Sequence, residues 1–560
     1  MKNFQKLSPI FASAALLLSA CGMSVEPVST TFTVANSTNT TSSVTSASSV
    51  NFSSSSTEVK EQSSEAAVVY DPTGTEIVLS FEDSTLSIQN DNGCLEKSDT
   101  TLTITCAGVY YLEGSSENFQ VIVNVADEEK VYLYLNNVSL KAPSAPLFVQ
   151  NADKTFLVLI DGTENAFENG DSDTTAAIYA KDDLTFKGNG SLSVIANGHN
   201  GIHTSNDLKI KNVPTIQVTA ENHAIKGKGS VEIEGGYFTL SAGADAIKSD
   251  EGEEDGYVEG KGYIQITGGE FHIESTGDAI SAFNYVLIAD SVSTPQIQIT
   301  TTGNASSEST KGIKADSTVL LQAGIVEVIS NDDAIHADGT IQIDGGTFTL
   351  TTADDGIHAD KLLQINGGVI VVTNSYEGFE SKNIQMKGGT TYVYARDDGW
   401  NAQSLIQLSG GYHYVTTASG DTDGIDSNGD IDIDGGVLVI EAGNNIVDKG
   451  DQGTVNYTGG ILMGFGKMNE GVPSSGTKLC ASSISSGARI SYAGESVYST
   501  FTTNKSATTM IYITQESSGN LYQGGSYSGT ENAFGYGEGG TLSNGTALST
   551  STCSSSGMRR

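Results

Sequence analysis

The sequence predicts an all-β protein, a right-handed parallel β-helix of about 11 coils with 21–23 residues each. Three observations predict this solenoid. Short alternating apolar runs, separated by Gly, Ser, Asn and Asp, fill most of the chain after residue 70. A large apolar residue that follows a small acidic turn recurs every 21–25 residues, apart from two steps of 33. A Gly-Gly pair recurs in step with it from Gly235 to Gly459.

These apolar anchors define the coils. They are Ile202, Ile225, Ile247, Ile280, Ile313, Ile335, Ile357, Phe379, Trp400, Ile425 and Ile446. Successive residues of a strand face opposite sides, so Ile335 and Ala337 are expected to point inward, and His336 and Asp338 outward. The pattern predicts three short strands and three corners per coil. The two 33-residue steps predict loops that project from a corner, such as the acidic insert at residues 250–256.

The N-terminus indicates export. Residues 1–20 combine two lysines with an apolar run, which is typical of a secretory signal peptide and too short for a stable membrane span. Residues 18–21 read Leu-Ser-Ala-Cys and resemble a bacterial lipobox, which implies cleavage before Cys21 and lipidation of that cysteine. The protein is then expected to be anchored in the membrane and to face outside the cytoplasm, in the bacterial cell envelope. The alternative is an ordinary signal peptide with an incidental cysteine.

Composition divides the rest of the chain into four segments. Residues 21–69 are rich in Ser and Thr and predict a flexible stalk. Residues 70–180 are expected to form an N-terminal β cap, and residues 181–467 the parallel β-helix itself. Residues 468–560 predict a small C-terminal β appendage, with a loose tail after about Ser526.

Four cysteines remain after Cys21, an even number for an oxidising compartment. Cys94 and Cys106 flank a short hairpin-like stretch and are predicted to pair, which leaves Cys480 with Cys553. The other pairings stay open. No Cys/His spacing typical of a zinc site occurs in the sequence. The net charge of −39, from 28 basic and 67 acidic residues, disfavours nucleic-acid binding.

Acidic residues recur beside the anchors. The residue two positions before the anchor is acidic in seven of the eleven coils, and equivalent positions of a solenoid lie above one another. Stacked carboxylates repel unless they are protonated or bridged, and Ca²⁺ is the natural bridge because it takes six to eight oxygen ligands. The alternative is that Asp is simply a good turn residue. The predicted ligands are Asp332, Asp333, Asp354, Asp355, Glu377, Glu380, Asp397, Asp398, Asp421, Asp423 and Asp426.

Several motifs together carry a family resemblance. They are residues 133–140 (LYLNNVSL), 161–165 (DGTEN), 332–338 (DDAIHAD), 354–360 (DDGIHAD), 375–380 (SYEGFE), 397–399 (DDG) and 423–429 (DGIDSNG). Over about residues 75–467 the chain resembles secreted, calcium-containing parallel β-helix carbohydrate-binding proteins related in shape to family 9 polysaccharide lyases. The resemblance implies binding of cellulose or acidic, pectin-like polysaccharides, with Ca²⁺ at the acidic corners. The chain departs from the family at Phe379 and Trp400, where an aliphatic residue is expected, and in its lipid anchor and stalk.

Three functions are compatible with this pattern. The first is a non-catalytic polysaccharide-binding lipoprotein, with ring faces that could stack on sugars or instead pack in the core. The predicted stacking residues are Tyr376, Trp400, Tyr412 and Tyr414. The second is a calcium-dependent, pectate-type lyase, whose base would be a lysine or arginine unless these side chains only form surface ion pairs. The possible bases are Lys226, Lys248, Lys314 and Arg396. The third is a structural adhesin, with the solenoid as a spacer.

Overall fold

The computed structural model describes residues 73–126, 128–173, 175–253, 256, 258–468, 471–496, 498–551 and 553. The predicted signal peptide, the lipidation site at Cys21 and the stalk lie outside the described residues. In the described part of the chain, no helix is both long and apolar enough to cross a membrane.

The fold is an all-β parallel solenoid with additional β sheets at both ends, so the predicted fold class is confirmed. It has about 15 turns, more than the predicted 11. Parallel pairing already begins between Ile77–Glu82 and Gly108–Ser116, inside the segment predicted as a cap. The early turns escaped the sequence pattern because Ala145 and Ala176 stand two positions before their anchors, where later coils carry an acidic residue.

Each coil contributes one strand to each of three strips of parallel strands. The anchor strip, which follows the acidic corner, contains Leu147–Asn151, Ala176–Ala180, Asn200–Thr204, Ile225–Gly227, Ile247–Ser249, Ile280–Ala282, Ile313–Ala315, Ile335–Ala337, Ile357–Ala359, Phe379–Met386, Trp400–Leu408, Ile425–Ser427 and Val447–Lys449. Phe379–Met386 and Trp400–Leu408 bend into the second strip, whose other strands are Lys154–Leu159, Asp183–Gly188, Asp207–Ile210, Ser230–Ile233, Tyr263–Ile266, Tyr285–Ile288, Thr318–Leu321, Thr340–Ile343, Leu362–Ile365, Asp430–Ile433 and Val455–Tyr457.

The third strip precedes the acidic corner. It contains Glu164–Asn169, Ser191–Ala196, Thr215–Ala220, Tyr237–Ala242, Glu270–Ser275, Gln296–Thr301, Ile325–Ser330, Thr347–Thr352, Val369–Asn374, Thr390–Ala395, Tyr412–Thr417, Val437–Asn445 and Ile461–Lys467. The strands before these are Ile77–Glu82, Thr85–Gln89, Leu95–Ser98, Thr101–Ile104, Gly108–Ser116, Gln120–Asn124 and Lys130–Ala142. The first four include two antiparallel hairpins at the N-terminal end.

The predicted anchors stack in register along the inside of the solenoid. Ile357 pairs with Phe379, Phe379 with Trp400 and Trp400 with Ile425, and all four side chains are fully buried. One anchor differs from the prediction, because Ile425 pairs with Val447 rather than Ile446. The preceding strand, Val437–Asn445, continues through the corner, and its pairing with the next strand is irregular between Glu441 and Asn445.

The Gly-Gly corner has a steric cause. A Cβ at Gly367 would lie 2.4 Å from the backbone oxygen of Asp344 in the previous coil, and Gly368 has a φ of +85°. The first glycine of the pair is therefore required by close stacking and the second by a left-handed backbone conformation. Both needs recur once per coil, which explains why the pair repeats in phase with the anchors.

The C-terminal appendage packs on the outer face of the last third-strip strands. Its strands are Thr477–Ile484, Arg489–Gly494, Tyr498–Thr502, Ala507–Thr514, Gly519–Gln523, Ser526–Tyr527, Tyr536–Glu538, Leu542–Ser543 and Thr546–Ala547. Ala507–Thr514 pairs antiparallel with Ile461–Lys467, and a second apolar core forms around Tyr414, Phe501 and Tyr512. Short strands run on to Ala547 where the sequence predicted a loose tail after Ser526, because Tyr527 stacks on Tyr498.

Both predicted disulfides are present. Cys94 is bonded to Cys106 across 12 residues, and Cys480 to Cys553 across 73. The first links the strand Leu95–Ser98 to the end of Thr101–Ile104, and the second ties the end of the described chain to Thr477–Ile484.

Candidate functional site: the acidic corner and the ladder beside it

The residues two before each anchor form a continuous corner column. Its members are Asn200, His223, Asp245, Asp278, Lys311, Asp333, Asp355, Glu377, Asp398, Asp423 and Asn445. In most steps one side-chain oxygen accepts the backbone N–H of the next member. Asp333 accepts from Asp355 at 3.2 Å, and Asp355 accepts from Glu377 at 3.1 Å. The carboxylates therefore satisfy buried corner amides, which is one physical reason for their repetition.

A lysine interrupts the acidic part of the column. Lys311 Nζ lies 2.6 Å from Asp332 Oδ1 and 3.2 Å from Asp333 Oδ2. Burial lowers the pKa of Lys311, but the two carboxylates outweigh this effect and the pKa is raised overall. One of the two negative charges of Asp332 and Asp333 is thus compensated by Lys311. Burial and the neighbouring Asp355 raise the pKa of Asp354.

From Glu377 onward the column holds carboxylates without a nearby lysine partner among the described residues. Glu377 Oε2 is buried and has no hydrogen-bond partner in the described part of the chain. Burial, together with the charges of Asp355, Glu380 and Asp398, raises the pKa of Glu377 to about 8. Burial also raises the pKa of Asp398 to about 6 and that of Asp423 to about 7. Buried carboxylates in adjacent coils repel one another, and this repulsion favours either protonation or a bound cation.

A second row of side chains, the outer ladder, lies beside the corner column. It consists of the residue after each anchor, and the strand register aligns His203, Lys226, Lys248, Ser281, Lys314, His336, His358, Glu380, Asn401, Asp426 and Asp448. Lys226, Lys248 and Lys314 thus lie in one row, together with His336 and His358. The ladder changes from basic, through two histidines, to acidic along the solenoid.

The possible lyase bases are engaged in contacts. Lys226 Nζ lies 2.5 Å from Asp250, Lys248 Nζ 3.1 Å from Asp245, and Lys314 Nζ 3.5 Å from Asp316. Burial lowers the pKa of Lys248, but the neighbouring carboxylates outweigh it and raise the pKa overall. A base that abstracts a proton must be neutral, so ion pairing opposes this role.

Arg396 is held by backbone oxygens. Its Nε donates to the Ser375 carbonyl at 3.1 Å, and its guanidinium also donates to the Ala353 carbonyl. The guanidinium carbon lies 5.9 Å from the centre of the Tyr376 ring. The Arg396 guanidinium therefore lies over the Tyr376 ring.

The four predicted stacking residues separate into two groups. Tyr376 and Tyr412 are 46% and 42% exposed, so their rings are accessible. Trp400 is 0% exposed and Tyr414 is 4% exposed, which corrects the prediction for both. Trp400 fills an anchor position and stacks on Phe379 with ring centres 6.1 Å apart, while Tyr414 lies in the core beneath the C-terminal appendage.

The remaining predicted metal ligands lie in different surroundings. Asp397 faces the hydroxyl of Tyr376 and raises the pKa of that hydroxyl. Asp421 is exposed, and its carboxylate accepts a hydrogen bond from Asn444 at 2.7 Å. Asp426 lies on the outer ladder next to Asn401 and Asp448. The column therefore brings Glu377, Asp398 and Asp423 together, but not Asp421.

Sequence reasoning missed a groove beside Tyr412. It has a volume of about 560 Å³ and lies between the Gly-Gly corners and the C-terminal appendage, which contributes Gln515, Glu516 and Glu538. The Tyr412 hydroxyl donates to Glu538 at 3.4 Å. No sequence signal connects these residues, because the two walls come from different segments of the chain, and Tyr412 and Glu538 are 126 positions apart.

The fold and site define a β-solenoid protein with a stacked acidic corner. Residues 98–356 match the model of a family described as carbohydrate-binding domain-containing protein. A curated protein with this same description, from Acetivibrio thermocellus, is 36% identical over 140 residues, which are 23% of this chain and 49% of the relative. The chain thus spans about half the length of the curated relative that it matches.

A solved structure is also similar. It is described as the polysaccharide lyase-like protein from C. thermocellum, as a gadolinium derivative, with 31% identity and a TM-score of 0.38. The match covers 45% of this chain and 96% of that one. The predicted family resemblance is confirmed, and residues 98–356 are the segment that matches the carbohydrate-binding domain family. The carboxylates from Glu377 onward lie beyond this segment.

Proposed function

We propose that this protein is a cell-envelope lipoprotein that binds plant-type or acidic polysaccharide without cleaving it, and that Ca²⁺ at the acidic corner supports binding. The family description of residues 98–356 supports the carbohydrate part. The observation that carries the calcium part is the buried Glu377 Oε2, which lacks a hydrogen-bond partner in the described part of the chain and lies among other carboxyls.

Calcium fits the donors of this corner. Glu377, Asp398, Asp423 and Asp426 offer only oxygen atoms, which Ca²⁺ prefers, and their mutual repulsion would be relieved by a divalent cation. When bound, the ion would supply a positive charge that attracts the carboxylate of an acidic sugar. The protein's own residues would hold the corner and keep its backbone amides satisfied.

The glycan would lie near the two exposed tyrosines. Flat aromatic rings suit the faces of sugar rings, and the Arg396 guanidinium lies over the Tyr376 ring. Tyr412 is partly exposed beside the groove, where Gln515 and Glu538 could hydrogen-bond sugar hydroxyls. The ion pairs of Lys226, Lys248 and Lys314 favour a binding protein over a lyase.

The binding test uses residues 70–560, which include the C-terminal wall of the groove. The protein is incubated with a polysaccharide panel that includes cellulose and polygalacturonate, in Ca²⁺ and in chelator. Retained protein and unsaturated sugar ends are scored in the same tubes. We expect wild-type protein to be retained only in Ca²⁺ and to form no new unsaturated ends. Retention of the Glu377→Gln variant should not differ between Ca²⁺ and chelator. New unsaturated ends would indicate a polysaccharide lyase. Absence of retention on every glycan would favour the structural adhesin, with the solenoid as a spacer.

The anchor and segment boundaries are part of the proposal. Cys21 would carry the lipid, residues 21–69 would form the stalk, and residues 70–180, 181–467 and 468–560 would be the cap, binding solenoid and appendage. Labelling of cells with a radioactive fatty acid tests the anchor. We expect the label in the wild-type protein and not in Cys21→Ala, which should leave the membrane fraction.

A further inference from the structure

We propose a second, chemically different metal site, a Zn²⁺-type site centred on Nδ1 of His358. This nitrogen lies 3.4 Å from Asp355 Oδ2 and 3.4 Å from Glu380 Oε2. A third carboxylate oxygen, Asp333 Oδ2, lies 3.7 Å away. The donor atoms of Asp355, His358 and Glu380 all lie within 4.8 Å of one another.

The spacing of the donors fits a small tetrahedral ion. Zn²⁺ binds His nitrogen and carboxylate oxygen at about 2.0–2.2 Å, so ligands at the corners of a tetrahedron are roughly 3.3–3.5 Å apart. The two shorter distances from His358 already have this length. Small side-chain rotations would therefore complete the coordination without movement of the backbone.

The solenoid itself assembles these donors. Asp333 and Asp355 are neighbours in the corner column, whereas His358 and Glu380 are neighbours in the outer ladder. The four residues belong to three consecutive coils, which are about 4.8 Å apart as in any sheet. A metal at this point would join the three coils, where the ladder changes from basic to acidic.

The donor set distinguishes this site from the proposed calcium corner. Ca²⁺ takes oxygen ligands, whereas imidazole nitrogen suits Zn²⁺, Cu²⁺ and Ni²⁺. The other ring nitrogen, His358 Nε2, lies 3.5 Å from Asp360 Oδ1, the outer carboxylate that commonly orients a metal-binding histidine. His336 is engaged differently, with Nδ1 2.8 Å from Asp333 and Nε2 3.0 Å from Asp338. The contacts of His358 Nδ1 are longer and come from several carboxylates, so the metal position is assigned to His358.

The test is calorimetric titration of Zn²⁺ into the purified full chain in excess Ca²⁺. We expect one Zn²⁺ per chain, with a nitrogen ligand detected by X-ray absorption at the zinc edge. His358→Asn should weaken Zn²⁺ binding by about 100-fold or more. Loss of a residue that only hydrogen-bonds to a metal ligand already costs roughly 10–100-fold in metal affinity, and His358 would be a ligand itself. Glu380→Gln, which conserves shape, should weaken it as well. His203→Asn is the matched control, since His203 occupies the same ladder in a coil next to Lys226.

Three results would overturn the proposal. These are no Zn²⁺ binding by the wild-type chain, equal affinity in wild type and His358→Asn, or complete displacement of Zn²⁺ by Ca²⁺. Thermal unfolding of each variant without metal separates lost binding from lost folding. The calcium proposal is independent, because Glu377→Gln is expected to remove the Ca²⁺ effect on glycan retention and to leave Zn²⁺ binding intact.

Discussion

The carboxylate of Asp398 accepts the backbone N–H of Asp423, in the next coil of the solenoid, at 2.7 Å. The same carboxylate lies in the part of the corner where burial and neighbouring charges raise the pKa of Asp398 to about 6. One side chain thus satisfies a buried amide and also contributes to a repulsive cluster. The two roles can be separated by substitution.

The first prediction compares Asp398→Ala with Asp398→Asn. Alanine leaves the Asp423 N–H without its partner, so we expect a loss of about 1–3 kcal/mol in unfolding free energy, measured by urea unfolding in chelator. Asparagine retains an oxygen acceptor and should stay near wild type. Added Ca²⁺ should stabilise wild type more than Asp398→Asn. Equal losses in both variants would contradict the hydrogen-bonding role.

The second prediction contrasts a core ring with an accessible ring. Trp400→Ala removes a fully buried anchor and should cost roughly 3–5 kcal/mol of unfolding free energy. Tyr412→Ala should leave thermal stability nearly unchanged. It should weaken glycan binding by on the order of 1 kcal/mol, about five-fold in Kd, as measured by depletion assays. A Tyr412→Ala variant that binds glycan like wild type would exclude the groove from the binding surface.

The third prediction concerns acid stability. His413 is buried, faces Thr391 Oγ1 at 3.0 Å and the Gly410 carbonyl at 2.9 Å, and burial lowers its pKa to about 4. The unfolded chain then binds more protons than the folded one between about pH 6.5 and pH 4, so this histidine's contribution is present above pH 6.5 and is lost as the pH falls through 4.

The measurement for His413 is a difference between two proteins. Unfolding free energy is measured from pH 7 to pH 4 for wild type and His413→Gln. Wild type should lose about 3 kcal/mol more than the variant over this range, from the lowered pKa. Parallel pH profiles of the two proteins would show that His413 is protonated without cost in the fold.

The fourth prediction concerns the two disulfides. The Cys480–Cys553 bond closes a 73-residue loop and the Cys94–Cys106 bond a 12-residue loop. Loop entropy assigns roughly 4 kcal/mol to the first and about 3 kcal/mol to the second. We therefore expect the Cys480→Ser/Cys553→Ser pair to lower stability more than Cys94→Ser/Cys106→Ser, by calorimetry. The reverse order would show that native contacts outweigh loop length.

Much of the solenoid was predictable because its constraints repeat. An inward anchor, a left-handed glycine and an amide-binding carboxylate are each needed once per coil, so the same residue types return with the coil period. Phe379 and Trp400 followed the register although their types differ from the other anchors. The earliest coils were missed as coils because Ala145 and Ala176 occupy their corner positions and lack the acidic signal.

The candidate site was predictable only in part. The sequence indicated that carboxylates stack, but not that Lys311 enters the same column and pairs with Asp332 and Asp333. It aligned His336 with His358, but not the approach of Asp355 and Glu380 to one ring nitrogen. Such contacts depend on the directions of side chains in both the corner column and the outer ladder. The coil period alone does not specify these directions.

The sequence by itself determined the period and the inward and outward faces of each coil, because neighbouring coils must present matching residues at fixed spacing. Only the tertiary structure decided which outward residues remain accessible. Folding of the C-terminal appendage onto the third strip buries Tyr414 and leaves Tyr412 beside a groove, two positions away on the same strand. That choice depends on lateral packing between segments distant in sequence, which leaves no periodic signal along the chain.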